Sequence, residues 1–288
     1  MTTEATFARP PTLAAATALL REHGDDARPV CGGTALALLL RQRLIAPALL
    51  VGIGHLDELS GIRIESDGTL RIGAAVRVRE AERHPAIRAW NVLYEALHAV
   101  ATPRIRQLAT LGGGLSHADP AGDPAVALAA LGAIVRIAGT TERCVAVADF
   151  AHDYYETDLR MGELVVDVNV PALPARTGSA YIKYLPRTVE DYGTVNAAAV
   201  VTLDVAGHIT DARLVLGAVG RTPIDVPVAD VLRSTKPDAA AFARAAAQAR
   251  DLVDPLDDAR GSAAYKRDMA VIIGRRALER AASLATAE

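Results

Sequence analysis

The spacing of apolar positions changes repeatedly along the chain, between a helical period and strand-like alternation, without an internal repeat. An amphipathic pattern over 12–23, opened by Pro11-Thr12 and closed by Gly24, predicts a helix. The extended run 28–31 stops at Gly32-Gly33, after which 34–43 reads as helical and 48–51 as extended. Short alternating runs at 62–64 and 70–72 flank Ser66-Asp67-Gly68 as a hairpin, and helical spacing returns over 78–83 and 87–100. From Ala101 to Asp123 periodicity gives way to a stretch rich in Gly, Pro, Thr and Asp. Beyond it the pattern predicts a helix over 125–131 and strands over 134–137, 145–147 and 164–170. Residues 171–179, with Pro171, Pro174 and Gly178, form the best linker signal in the chain. Three antiparallel strands over 180–185, 195–203 and 209–216 follow, then helices over 228–232, 239–252 and 262–287. The class this predicts is α+β, with a boundary near residue 175.

A length of 288 residues exceeds what one modest core fills, so two or three subdomains are expected. Aromatic residues make up only 4%, which leaves Ala, Val and Leu to fill the interior. The balance of 31 basic and 34 acidic side chains, with no dense basic stripe, argues against a nucleic-acid partner. Cys31 and Cys144 are the only cysteines, so the chain carries neither a disulfide framework nor a cysteine set for an iron–sulfur or zinc site. No cationic flank leads into an apolar core at Met1–Pro10, and no apolar run is long enough to span a bilayer, so a soluble cytoplasmic protein is expected.

Two glycine segments stand out as candidate chemistry: Cys31-Gly32-Gly33-Thr34-Ala35 and Thr110-Leu111-Gly112-Gly113-Gly114. Glycines permit positive φ and close backbone approach, and successive amides at a helix start attract phosphate oxygens. A single such segment is more simply read as a tight turn. Two of them fit a two-phosphate ligand clasped from both sides, although their spacing does not bring them together. Gly52-Ile53-Gly54 begins like a dinucleotide fingerprint, but Asp57 stands where the third glycine belongs, and a simple turn is the better reading. Asp119 and Asp123 suit polyol or ribose hydroxyls, while Asp123 before Pro124 equally reads as a helix N-cap. Lys183, Arg187, Asp191 and Tyr192 straddle the loop after the first C-terminal strand, where a solvated charge cluster and a core tyrosine explain them as well. The seven histidines show no metal-ligand spacing, and no nucleophile elbow or phosphate-loop lysine occurs.

The run from Ala101 to Pro124, Ala-Thr-Pro-Arg-Ile-Arg-Gln-Leu-Ala-Thr-Leu-Gly-Gly-Gly-Leu-Ser-His-Ala-Asp-Pro-Ala-Gly-Asp-Pro, closely resembles the FAD-binding medium subunit of carbon monoxide dehydrogenase and its relatives in the xanthine dehydrogenase family of molybdenum hydroxylases. Gly32-Gly33-Thr34, Ile72-Gly73-Ala74-Ala75, the stretch from Gly162 to Lys183, Asp191-Tyr192 and the terminal helix from Ala263 to Ala277 extend the resemblance over nearly the whole chain. It implies a two-part FAD-binding domain of the vanillyl-alcohol-oxidase type over 1–175, divided near residue 55, and a smaller C-terminal α+β domain over 176–288 with a three-stranded antiparallel sheet.

Carried over by position, the resemblance places Cys31, Gly32, Gly33, Thr34, Ala35 and Leu36, with Thr110, Gly112, Gly113 and Gly114, at the FAD pyrophosphate. Ala101, His117, Asp119 and Asp123 fall near the flavin or its hydroxyls; Val165 and Lys183 border the isoalloxazine, and Tyr192 lies over its face. Cys31 replaces the usual Ala, Gly114 the usual Asn, and His117 an Asn common in carbon monoxide dehydrogenases. The function implied is electron transfer within a dimer of heterotrimers. A large subunit would carry molybdopterin, and a small one two [2Fe-2S] clusters. The other readings are a stand-alone flavin oxidase of the same fold and a non-catalytic nucleotide sensor. A stand-alone oxidase needs its own acid–base residue, and the sequence offers no obvious one.

Overall fold

The computed structural model describes residues 5–185, 188 and 191–286. Pro186 and Arg187, in the expected charged loop, lie outside the described residues.

The N-terminal part winds β1 (Thr6–Ala8), α1 (Leu13–His23), β2 (Ala27–Val30), α2 (Thr34–Arg41) and β3 (Leu49–Gly52) into a parallel sheet of order β1-β3-β2. Thr12 starts α1 by accepting a hydrogen bond from the Ala15 amide, and the helix buries Ala16, Thr17 and Leu20. No residue of α2 is buried, although positions 35–40 are all apolar.

The central part contains β4 (Ile62–Ile64), β5 (Leu70–Gly73), α3 (Val78–Arg83), α4 (Asn91–Ala99), α5 (Pro103–Arg106), α6 (Leu111–His117), α7 (Asp123–Ala130), β6 (Ile134–Ala138), β7 (Arg143–Ala146), α8 (Val147–Phe150), the small hairpin β8 (Ala151–Asp153) and β9 (Glu156–Thr157), and β10 (Leu164–Val170). Its antiparallel sheet has the order β4-β5-β10-β6-β7, so the last strand in sequence lies in the middle. In β10, buried along nearly its whole length, Asp167 is offset by Arg71 and Arg136, which reach its carboxylate at 2.6 and 2.5 Å, and by Asn169, which donates to it at 2.8 Å. The helix expected over 87–100 begins at Asn91, because Pro85 starts a tighter 3₁₀ turn that runs to Ala89. The glycine-rich stretch is not all loop: α5 and α6 lie within it.

The C-terminal sheet is antiparallel with four strands, in the order β11 (Thr177–Tyr184), β12 (Val195–Leu203), β13 (Ile209–Gly217), β14 (Ile224–Val226). The expectation of three strands missed β14, which is three residues long between Pro223 and Pro227 and too short to show a period. Helices α9 (Ala229–Leu232), α10 (Ala239–Ala247), α11 (Ala249–Leu252) and α12 (Ala263–Ala285) cover it. Small residues bring α12 down onto the strands: an added Cβ at Gly178 would run into the backbone of Ala281 and Ala285. Strand β11 therefore begins before residue 180, inside the segment that reads as linker. That segment is pinned to α4: Asn91 donates to the Ser179 carbonyl at 2.9 Å, and Ser179 Oγ accepts from the Val92 amide at 3.1 Å. No helix among the described residues is long and apolar enough to cross a membrane.

Candidate cofactor site

Gly32 and Gly33 form the turn from β2 into α2. Gly33 adopts φ +71°, a left-handed value that a side chain resists, and α2 has no side-chain cap. The first-turn amides of α2 are therefore left without an intrahelical acceptor and directed outward, next to the positive end of the helix. Gly32 packs on the backbone of Leu108 and Ala109, immediately before the second glycine segment. Behind it the Cys31 thiol is hydrogen-bonded to Thr110, and burial pushes its pKa up against that bond and the charge of Arg77. The two segments that sequence spacing could not connect are thus neighbours.

The second segment is the first turn of a helix rather than a loop. Thr110 caps α6, with Oγ1 accepting from the Gly113 amide at 3.3 Å. Gly112 sits on Ala74, where an added Cβ would come within 2.5 Å of the Ala74 methyl. Gly113 and Gly114 are exposed, and an added Cβ on Gly114 would meet nothing within 4 Å. A floor of backbone, a wall of unpartnered amides and open space above Gly114 fit the pyrophosphate of a dinucleotide.

Further along, the His117 ring lies 5.1 Å from that of Tyr155, whose backbone holds φ +60°. Asp119 accepts from the Ala121 amide at 2.9 Å and is hydrogen-bonded to the Tyr192 phenol. Partial burial, followed by the charge and hydrogen bond of Asp119, pushes that phenol up to about 12. Tyr192 is 53% exposed, with the Arg260 guanidinium 5.9 Å from its ring centroid, so it is not a core tyrosine.

Asp123 is not the N-cap of α7; Gly122 holds that position without a side-chain bond. The carboxylate turns inward, where Oδ1 accepts from the Tyr181 hydroxyl at 2.6 Å and Oδ2 from Lys183 Nζ at 3.0 Å. Burial raises the Asp123 pKa, and Lys183 and Tyr181 oppose the rise. Lys183 Nζ also donates to the Ala99 carbonyl at 3.0 Å, so two of its three protons are committed. Ala101 follows in the same turn with φ +35°, and Val165 is buried in β10 beside a bulge. Tyr181 is the member that the sequence reading passed over. It lies two residues from Lys183 on one strand, and that period alone puts both side chains on the same face.

Residues 3–173 match the FAD binding domain in molybdopterin dehydrogenase, and residues 180–281 the CO dehydrogenase flavoprotein C-terminal domain. The chain belongs to the FAD-binding medium subunits of the carbon monoxide and xanthine dehydrogenase family, and it is an oxidoreductase subunit whose cofactor is FAD. It is 35% identical to the carbon monoxide dehydrogenase medium chain of Afipia carboxidovorans over 284 residues, 96% of each chain. It is 36% identical over 269 residues to the 6-hydroxypseudooxynicotine dehydrogenase complex subunit alpha of Paenarthrobacter nicotinovorans, covering 91% of this chain and 89% of the other. The structure of reconstituted CO dehydrogenase from Oligotropha carboxidovorans superposes with a TM-score of 0.94 at 33% identity, over 99% of each chain. Two relatives of nearly equal identity are named for unrelated substrates, so similarity of this chain does not choose one.

Proposed function

We propose that this chain is an electron relay between a molybdenum subunit and an external acceptor. FAD supplies the capacity to take up electrons singly and release them in pairs. The observation that supports the reading is the seating of Gly32 on Leu108–Ala109, which makes the two glycine segments neighbours. The turn and first-turn amides of Gly32, Gly33, Thr34, Ala35 and Leu36 would hold the pyrophosphate from one side; Thr110, Gly112, Gly113 and Gly114 would border it from the other, the glycine amides there being already given to Ala74 and Thr110. His117 and Asp119 would orient the hydroxyl-bearing chain, while Asp123, buried against Tyr181 and Lys183, would act on the site through Lys183. The third Lys183 proton would face the isoalloxazine, Val165 would border it, and Tyr192 would cover one face and exclude water there. Residues 1–175 would form the FAD-binding domain and 176–288 a docking and covering domain. A large chain carrying molybdopterin and a small chain carrying two [2Fe-2S] clusters would complete a cytoplasmic dimer of heterotrimers.

The chain should bind one FAD non-covalently. Acid precipitation should leave FAD fluorescence in the supernatant; flavin in the pellet, or FMN instead of FAD, would reject the two-phosphate cradle. Copurification should recover a larger molybdenum chain and a smaller iron chain, and an active monomer oxidising an organic substrate would reject the relay.

Gly114→Asn is expected to be tolerated and to tighten binding. The new side chain enters open space, adds one hydrogen bond worth about 0.5–1.5 kcal/mol and removes a flexible glycine from a helix. That corresponds to a roughly two- to tenfold lower Kd in a titration of the deflavinated chain. An unchanged Kd would show that the space above Gly114 is not where the cofactor lies.

A further inference from the structure

The carbonyls at the end of α4 have no partners within the helix, and they are satisfied by two cations from opposite sides. Lys183 takes the Ala99 carbonyl. Arg106 takes the next two with a single nitrogen, Nη1 lying 2.7 Å from the Val100 oxygen and 3.1 Å from that of Ala101. Arg106 is itself buried, and its Nε donates to Glu82 Oε2 at 3.0 Å. Glu82, also buried, receives Arg79 at both oxygens at 2.8 Å and His98 Nδ1 at 2.9 Å. Burial alone would raise its pKa, but the hydrogen bonds from Arg79 and His98 and the charges of Arg106 and Arg79 outweigh it, so the group stays ionised.

Such a pair is an inefficient way to add stability, because an apolar pair of similar volume is often as good or better. What it adds is a fixed geometry. The turn it fixes is an unfavourable one, with Ala101 held at φ +35°.

We propose that Glu82 and Arg106 are positioning residues for the cofactor site. They hold the Val100–Ala101 carbonyls so that the end of α4 forms a rigid seat for the Lys183 ammonium and for the flavin edge beside Ala101. The sequence resemblance assigns neither residue a role. The proposal rests on the FAD reading for the identity of the ligand, while the seat itself is a property of the flavin-free chain.

The test is Arg106→Leu, with Arg106→Lys and Glu82→Gln as milder variants that keep the proposal falsifiable should the first not fold. In Arg106→Leu, Glu82 keeps Arg79 and His98, so the flavin-free chain should stay folded, with a melting temperature lowered by the two carbonyls left without a donor. Hydrogen exchange over residues 99–107 should quicken while exchange elsewhere is unchanged. Titration with FAD should give a Kd at least tenfold weaker, and at saturation the visible flavin bands should be displaced from wild type. Arg106→Lys should recover part of both, since an ammonium reaches the carbonyls but cannot also hold Glu82 through a fork. Wild-type exchange over 99–107 in all variants would overturn the proposal, whatever FAD does. A melting temperature that falls in step with affinity, with a wild-type spectrum at saturation, would reduce the pair to simple support and would also overturn it. If wild-type chain takes up no FAD, the relay reading fails, and the exchange result still decides the seat.

Discussion

Gly32→Ala is expected to weaken FAD binding by about ten- to a hundredfold. An added Cβ would run into the Leu108 carbonyl oxygen, 3.0 Å from Leu108 C and 3.1 Å from Ala109 Cα. All three are backbone atoms, so no side chain can swing aside. Overpacking of this kind costs about 1–3 kcal/mol, and the available relief is to part the β2–α2 turn from the start of α6. Parting them separates the two halves of the phosphate cradle, so the cost appears in affinity at the rate of tenfold per 1.4 kcal/mol. Titration of the deflavinated variant measures it, with Gly114→Asn as the control that changes a glycine at no steric cost. Wild-type affinity in Gly32→Ala would show that the segments do not clasp one ligand.

That contact also marks the limit of what the sequence made legible. Periodic elements were readable, and β10 and β12 begin and end where alternation and β-branching predict. Glycines at 32, 33 and 112–114 announced close approach, but not what approaches them. Gly32 answers to a carbonyl 76 positions away, and nothing local encodes that pairing. The helical state of Gly112–Gly114 was hidden because glycine propensity argues against a helix, whereas the Thr110 cap and the contact with Ala74 outweigh it here. Asp123 misled for a similar reason. Asp before Pro is a good capping signal, and only the fold shows Tyr181 and Lys183 arriving from a strand nearly 60 residues later to claim the carboxylate.

Lys183→Met should be the most destabilising single change in the site. It removes the cation and leaves Asp123, 5% exposed, with one hydroxyl donor. Breaking a buried pair from one side costs about 3–5 kcal/mol, and a drop of that size in unfolding free energy at neutral pH is the expected result. The loss should depend on pH. Burial already raises the Asp123 pKa, and Lys183 is the first of the opposing influences, so its removal raises the folded-state value further. An acid whose pKa is raised by folding favours the protonated folded state. The variant should therefore regain stability as pH falls towards the ordinary carboxylate range, and lose it again as pH rises. Adding Asp123→Asn to the same chain should restore stability at neutral pH. Denaturant unfolding across pH checks all three; a pH-independent loss equal in the single and double variants would show that packing of the lysine stem, not the charge, is what matters.

The place of β10 in the central sheet bears on how the chain is made. Its neighbours β5 and β6 leave the ribosome long before it, yet they touch only through it. Ala74, the floor under Gly112, has its amide fixed by the Val166 carbonyl at 2.9 Å. During vectorial synthesis both glycine segments are present while their common base is still missing, and β10 closes it from the far side. Cofactor capture is thereby deferred until residue 170 has been delivered, and a nascent chain truncated before that point should emerge without flavin.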